Sequence, residues 1–101
     1  MHRPKKKWML AETWATSSTS EVAQNAFLEC GAIGIEVDDG IGPEGQKKYP
    51  ENQIKILAYF ELDNGLEKHV EEQFDIFFKN CGFTSHPIHW QEFIEEDWQA
   101  Q

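Results

Sequence analysis

The stretch FLECGAIGIEVDD at residues 27–39 constrains the fold most, because its hydrophobic period changes from helical to extended within a few residues. Up to residue 30, apolar side chains recur at spacings of three and four, as on one face of a helix. After it, Ile33, Ile35 and Val37 alternate with more polar neighbours, as on a half-buried strand. Gly31 lies where a helix end favours a positive φ. The stretch therefore predicts a helix that turns directly into a strand.

The same patterns predict the remaining secondary structure. Strands are expected at about residues 8–15, 33–38, 54–61 and 86–95, and helices at about 19–30 and 66–81. Ser18 and Glu21 have the spacing of a capping box, and Asp63 or Asn64 is expected to cap the second helix. This order of elements is the split βαβ arrangement. We therefore predict an α+β, ferredoxin-like sandwich, with a four-stranded antiparallel sheet and both helices on one face.

The length of 101 residues fits one domain. We expect a flexible basic tail at residues 1–7, a single ferredoxin-like domain at residues 8–98, and a tail or the start of a missing linker at residues 99–101. No apolar run approaches the ~18–20 residues that span a bilayer, and no signal-peptide pattern follows the basic N-terminus. We therefore expect a cytoplasmic protein that does not contact membranes.

The net charge of −9 is unevenly distributed. Basic residues are concentrated at the N-terminus, and residues 8–46 contain no Lys or Arg but several Asp and Glu. An acidic surface repels phosphate backbones and attracts basic partners. We therefore do not expect nucleic acid to be the main partner.

Several short motifs lie along most of the chain in a characteristic order. They are Trp8, FLECGA at residues 27–32, IEVDD at 35–39, AYF at 58–60 and EDW at 96–98. In order and spacing they resemble the N-terminal domain of the PrmA-type methyltransferase, which modifies ribosomal protein L eleven. The resemblance implies a substrate-recognition domain that takes part in ribosomal protein methylation by binding a basic ribosomal protein.

The catalytic part that the resemblance implies is absent from this sequence. Gly40, Gly42 and Gly45 lie between two strands, so they do not form the Gly-rich strand-to-helix turn that holds a nucleotide-like cofactor. We expect S-adenosylmethionine only in a missing C-terminal domain. For the present chain we predict no enzymatic activity and no catalytic, cofactor-binding or metal-binding residue.

Strand periodicity predicts a partner-binding face on the sheet. If Met9, Ala11 and Thr13 face the helices, the residues between them face the opposite side, which we call the open face. Aromatic side chains on such a face commonly mark an interface. Acidic residues are expected at the rim of this face. Together with them, the predicted partner-binding residues are Trp8, Trp14, Glu36, Asp38, Asp39, Leu57, Tyr59 and Phe93. Besides the ribosomal protein, the catalytic domain or a second copy is a possible occupant. In the reverse orientation both Trp side chains would lie in the core.

Other function classes stay open. A standalone regulatory module that binds a small molecule between paired copies has the same fold. An RNA-binding sheet is disfavoured by the acidic charge and by the lack of a basic-Gly-aromatic pattern in the third strand. Zinc binding by Cys81, His86 and His89 is disfavoured because residues 86 and 89 would project to opposite faces of a strand. Cys30 and Cys81, on the apolar stripes of the two predicted helices, are expected to be buried free thiols.

Overall fold

The computed structural model describes residues 6–50 and 52–95. Their elements, in chain order, are β1 (Lys6–Ala15), α1 (Ser20–Glu29), β2 (Gly34–Asp38), β3 (Ile54–Glu61), α2 (Leu66–Asn80) and β4 (His89–Glu95). The strands form one antiparallel sheet in the order β2-β3-β1-β4. The predicted ferredoxin-like α+β fold is confirmed. The proposed domain boundaries stay predictions. Residues 1–5 of the predicted N-terminal tail, residues 96–98 of the predicted domain and the predicted tail at 99–101 lie outside the described residues.

The predicted turn from helix to strand is present at Gly31. Its amide donates to the Leu28 carbonyl at 3.0 Å, and the Ala32 amide donates to the Phe27 carbonyl at 3.1 Å. This pair of bonds is the Schellman motif, which requires a left-handed residue after the helix. Gly31 has φ +96° and meets that requirement. Gly82 ends α2 with the same pair of bonds and φ +83°.

The helices begin within one residue of the predicted positions, but the predicted helix caps are wrong. Thr19 occupies the N-cap of α1 and makes no capping bond through its side chain, so the capping box of Ser18 and Glu21 does not form. Gly65, with φ +74°, occupies the N-cap of α2. The carboxylate of Asp63 instead accepts the adjacent amide of residue 64 at 2.8 Å. Asp side chains commonly make such local bonds to the backbone, which compete with capping.

The core lies between the sheet and both helices. The largest fully buried side chains are those of Phe27, Phe60, Phe74, Phe78, Ile56 and Val70. The Phe27 ring, from α1, lies 4.6 Å from the ring of Phe74 in α2 and 6.1 Å from that of Phe60 in β3. Cys81, expected on the apolar stripe of α2, is exposed. Phe78 is buried one turn earlier, because the buried face of α2 follows spacings of four residues from Val70.

The alternation in β1 confirms the predicted orientation of the sheet. Met9, Ala11 and Thr13 are buried against the helices. The buried Thr13 hydroxyl donates to the Pro87 carbonyl at 3.1 Å, which joins β1 to the segment before β4. The reverse orientation, with both tryptophans in the core, is therefore wrong.

Candidate functional site

The open face contains the outward-facing side chains of β1 and β3. The register pairs Leu10 with Tyr59, Glu12 with Leu57, and Trp14 with Lys55. These side chains are half-buried, as is Trp8 at the other end of β1. Sequence periodicity therefore correctly placed Trp8, Trp14, Leu57 and Tyr59 on one surface. Their role in binding a partner stays a prediction.

The edge strand β2 adds two of the predicted acidic residues to this face. Glu36 pairs across the sheet with Leu57, and Asp38 pairs with Lys55. The Tyr59 hydroxyl donates to Glu36 Oε1 at 2.9 Å. Partial burial and this hydrogen bond raise the pKa of Tyr59 above its usual value. The acidic residues of β2 thus form hydrogen bonds within the chain.

The other two predicted partner-binding residues differ in position. Asp39 lies beyond the end of β2, where its carboxylate accepts the Ile41 amide at 2.9 Å and holds the start of the next loop. Phe93 pairs through its backbone with Trp8 in the sheet. Its side chain lies outside the described residues, so its place on the open face is not tested.

The loop between β2 and β3 folds back on itself over residues 40–49, which we call the arm. The Lys48 amide donates to the Gly40 carbonyl at 2.7 Å, and the Gly42 amide donates to the Gln46 carbonyl at 2.7 Å. A turn at the tip is closed by a 3.0 Å bond from the Gly45 amide to the Gly42 carbonyl. The sequence predicted only an irregular segment here, whereas the arm is a short hairpin.

Asp38 fixes the base of the arm. Its Oδ2 accepts the Tyr49 hydroxyl at 2.6 Å, and its Oδ1 accepts the Gly40 amide at 2.9 Å. Lys48 Nζ lies 3.8 Å from the same Oδ2. The hydrogen bond from Tyr49 is the main reason that the pKa of Asp38 is lowered, and it raises the pKa of Tyr49. Gly40 has φ +76° and packs so closely on the Tyr49 ring that a Cβ would overlap it.

The arm brings Tyr49 onto the open face, where two aromatic rings and an ammonium group meet. The Tyr49 ring lies edge-on to the Trp14 ring, with centroids 4.8 Å apart. Lys55 Nζ lies 5.2 Å from the Trp14 centroid and 5.4 Å from the Tyr49 centroid. Glu12 Oε1 lies 3.6 Å from the same ammonium group. We call Trp14, Tyr49 and Lys55 the aromatic–lysine cluster.

The cluster also contains or adjoins lysines in an otherwise acidic part of the chain. Lys47, Lys48 and Lys55 are the only basic residues between residues 8 and 67 of an acidic chain. Tyr49, Lys48 and Lys55 were not among the residues predicted to bind a partner. The available signal was the Lys-Lys-Tyr run in an otherwise acidic segment, but nothing local indicated that this run folds back onto Trp14.

The described residues give no support for a metal centre. They contain no group of three or more His, Cys, Asp or Glu side chains that could hold a metal ion. Cys30 and Cys81 are free thiols, as predicted. Burial, with a smaller contribution from Glu29, raises the pKa of Cys30. None of the helices in the described segments is both long and apolar enough to cross a membrane.

Solved structures with a similar fold include a nitrogen regulatory PII-like protein and a protein related to NIF3. One of them is CPII of Thiomonas intermedia K12, which is described as a nitrogen regulatory PII-like protein. Its complex with ADP and bicarbonate matches this chain with a TM-score of 0.63 and 16% identity, and the match covers 93% of both chains. Its complex with ADP, AMP and acetate matches with TM-score 0.60, 15% identity and coverage of 94% of both chains. A Bacillus cereus protein related to NIF3 matches with TM-score 0.56 and 13% identity over 96% of this chain and 27% of the other. At these identities the similarity establishes the fold alone. No protein-family model and no curated protein matches the sequence.

These comparisons correct the assignment to a PrmA-type methyltransferase. The matching structures are PII-like and NIF3-related proteins, so the predicted roles in methylation and in recognition of a methylation substrate are wrong. The physical reason is that the motifs behind the resemblance, a helix ending in Gly-Ala before a strand and an alternating apolar strand, are general features of helix ends and half-buried strands and do not identify one family. The ribosomal partner and the S-adenosylmethionine of a further domain were expected on that basis and are not tested.

Proposed function

We propose that this chain is a small-molecule-binding regulatory module whose ligand is an adenine nucleotide. The observation that carries the proposal is the match to CPII, which extends over 93% of both chains and concerns a protein bound to ADP. The same protein is also known in a complex with both ADP and AMP. A shared fold does not by itself define a ligand, so the proposal also needs suitable chemistry in this chain.

The aromatic–lysine cluster supplies that chemistry. An adenine ring stacks on aromatic side chains, and phosphate oxygens accept hydrogen bonds from lysine ammonium groups. The Trp14 ring, beside Tyr49, provides a stacking surface, and Lys48 and Lys55 lie within the same surface. These two lysines supply positive charge in an otherwise acidic part of the chain, which favours an anionic nucleotide.

The proposal is tested by titrating the purified protein with ADP and with AMP in a calorimeter. Binding should also raise the melting temperature as the nucleotide concentration increases, because a ligand that binds the folded state stabilises it. Inorganic phosphate and adenosine serve as controls for the two halves of the ligand, and each alone should bind more weakly. Absence of heat and of a melting shift with both nucleotides at millimolar concentration would refute the proposed function.

A second candidate is protein docking through the open face. Half-buried apolar side chains, including Leu10 and Leu57, lie on the side of the sheet opposite α1 and α2. We expect Trp14→Ser together with Tyr59→Ser to abolish self-association measured by sedimentation, while the circular dichroism spectrum stays folded. Loss of the folded spectrum would instead assign these side chains a structural role.

A further inference from the structure

The partly exposed ammonium group of Lys55 lies close to groups from different parts of the chain. The centroids of Trp14 on β1 and Tyr49 in the arm lie 5.2 Å and 5.4 Å from it and 4.8 Å from each other, so both rings lie on the same side of it, and Glu12 lies 3.6 Å away. The strands β1 and β3 pair along eight residues in the middle of the sheet, from Trp8↔Glu61 to Ala15↔Ile54. Trp14 and Lys55 are therefore held rigidly, whereas Tyr49 is held by the arm.

The arm is attached to the sheet mainly through polar contacts at its base. Asp38 accepts bonds from the Tyr49 hydroxyl and the Gly40 amide, and Tyr49 contacts Trp14. Beyond this base, the arm is exposed, and even the Ile41 side chain is 56% exposed. Segments with few buried apolar contacts and solvent-exposed backbone bonds open at low free-energy cost. Opening of the arm would remove Tyr49 from Lys55 without disturbing the sheet.

The geometry points to a nucleotide site on Trp14 and Lys55 that the arm covers when Tyr49 is bonded to Asp38. This inference rests on the proposed function and adds the location of the site and its control. With Tyr49 displaced, the Trp14 ring can stack on a purine, and the Lys55 ammonium can bind a phosphate. Lys48, which lies 3.8 Å from Asp38 in the closed arm, becomes available to the same phosphate.

The ligand must contain both a base and a phosphate. Glu12 already offsets part of the Lys55 charge, so a phosphate alone gains little at this site. A purine without a phosphate can stack on the Trp14 ring but does not bind the Lys55 ammonium group. We therefore expect ADP and AMP to bind more tightly than either adenosine or inorganic phosphate, and Lys55→Met to weaken ADP binding by about tenfold or more. Lys79→Met is the matched control, because Lys79 pairs with Asp75 on α2, on the other side of the sheet.

Nucleotide binding and closure of the arm compete for the same space. Removing the hydrogen bond to Asp38 should therefore raise the apparent affinity, since less of the protein is closed. Tyr49→Phe retains the ring and loses the hydroxyl that donates at 2.6 Å. Tyr59→Phe is the matched control, because it removes a 2.9 Å hydroxyl bond to Glu36 on the same face but outside the arm.

The experiment combines calorimetry with ADP and limited trypsin digestion without ligand, followed by mass spectrometry of cleavage after Lys47 and Lys48. Tyr49→Phe should accelerate this cleavage and tighten ADP binding, each by about fivefold for a partly exposed hydrogen bond, whereas Tyr59→Phe should change neither. Asp38→Ala provides a second variant with the same expected result, and circular dichroism verifies that each variant is folded.

The outcomes separate the two proposals. If the wild-type protein does not bind ADP, both the proposed function and the site are overturned. If it binds ADP but Lys55→Met binds equally well, or if Tyr49→Phe weakens binding, the function stands and the covered site is wrong. Faster cleavage with tighter binding in both Tyr49→Phe and Asp38→Ala supports the site and its control by the arm.

Discussion

Replacing Phe27 by Ala should destabilise the protein severely, whereas replacing its neighbour Leu28 should not. Phe27 has no exposed surface and packs between rings from α2 and β3, while Leu28 is 54% exposed. Removing a fully buried aromatic ring loses up to about 3 kcal/mol of transfer free energy, and the cavity raises the total to about 3–5 kcal/mol. Exposed side chains usually contribute less than about 0.5 kcal/mol. The two variants therefore test the orientation of α1 at adjacent positions.

Urea denaturation followed by far-ultraviolet circular dichroism measures the difference. With a loss of about 4 kcal/mol and a slope of about 1.5 kcal/mol per molar, Phe27→Ala should lower the urea midpoint by about 2.7 M. Leu28→Ala should lower it by no more than about 0.3 M. If Phe27→Ala costs less than about 1 kcal/mol, or if Leu28→Ala costs as much, the buried face of α1 has been misassigned.

Three further perturbations test separate parts of the structure. Thr13→Val removes the buried hydroxyl bond between β1 and the segment before β4, and should lower the free energy of unfolding by about 1 kcal/mol in urea denaturation. An unchanged urea midpoint would contradict a stabilising role of this bond. Cys81 is exposed, whereas Cys30 is partly buried and burial raises its pKa. Alkylation at pH 8 should therefore modify Cys81 about tenfold faster than Cys30. Equal rates would argue against burial of Cys30. The pKa of Asp38 is lower in the folded protein than in the unfolded chain. The stabilising bond from Tyr49 is therefore fully present above the ordinary carboxyl pKa of the unfolded chain, and it is lost as the pH falls through the lower pKa of the folded protein. Below pH of about 4, the NMR signals of the arm amides should shift, and Asp38→Asn should eliminate this transition if Asp38 causes it.

The site was predictable only in part. Alternation along β1 and β3 placed Trp14 and Tyr59 on the open face, because the two-residue period of a strand fixes the side on which each side chain lies. Tyr49 was missed because its position depends on a hydrogen bond to Asp38, eleven residues earlier, and on contact with Trp14. The local sequence around Tyr49 has no periodic pattern that could predict these contacts.

The family resemblance failed for a related reason. The run from Phe27 through Gly31 to the alternating residues of β2 encodes a helix end and a strand start. Any chain with this fold needs such a junction, so the motif specified the architecture and gave no information about a ligand. The function that we propose depends on side chains of the open face, and the family motifs did not include Lys48 or Lys55.

The amino-acid sequence by itself determined the order of elements, the inward and outward sides of the central strands, and the glycines that end both helices. Those features follow from hydrophobic period and backbone geometry, which act over a few neighbouring residues. The tertiary structure decided that the arm folds onto the sheet and that Tyr49, Trp14 and Lys55 form one cluster. These contacts join separate segments, and their formation depends on strand pairing that first brings β1, β2 and β3 side by side.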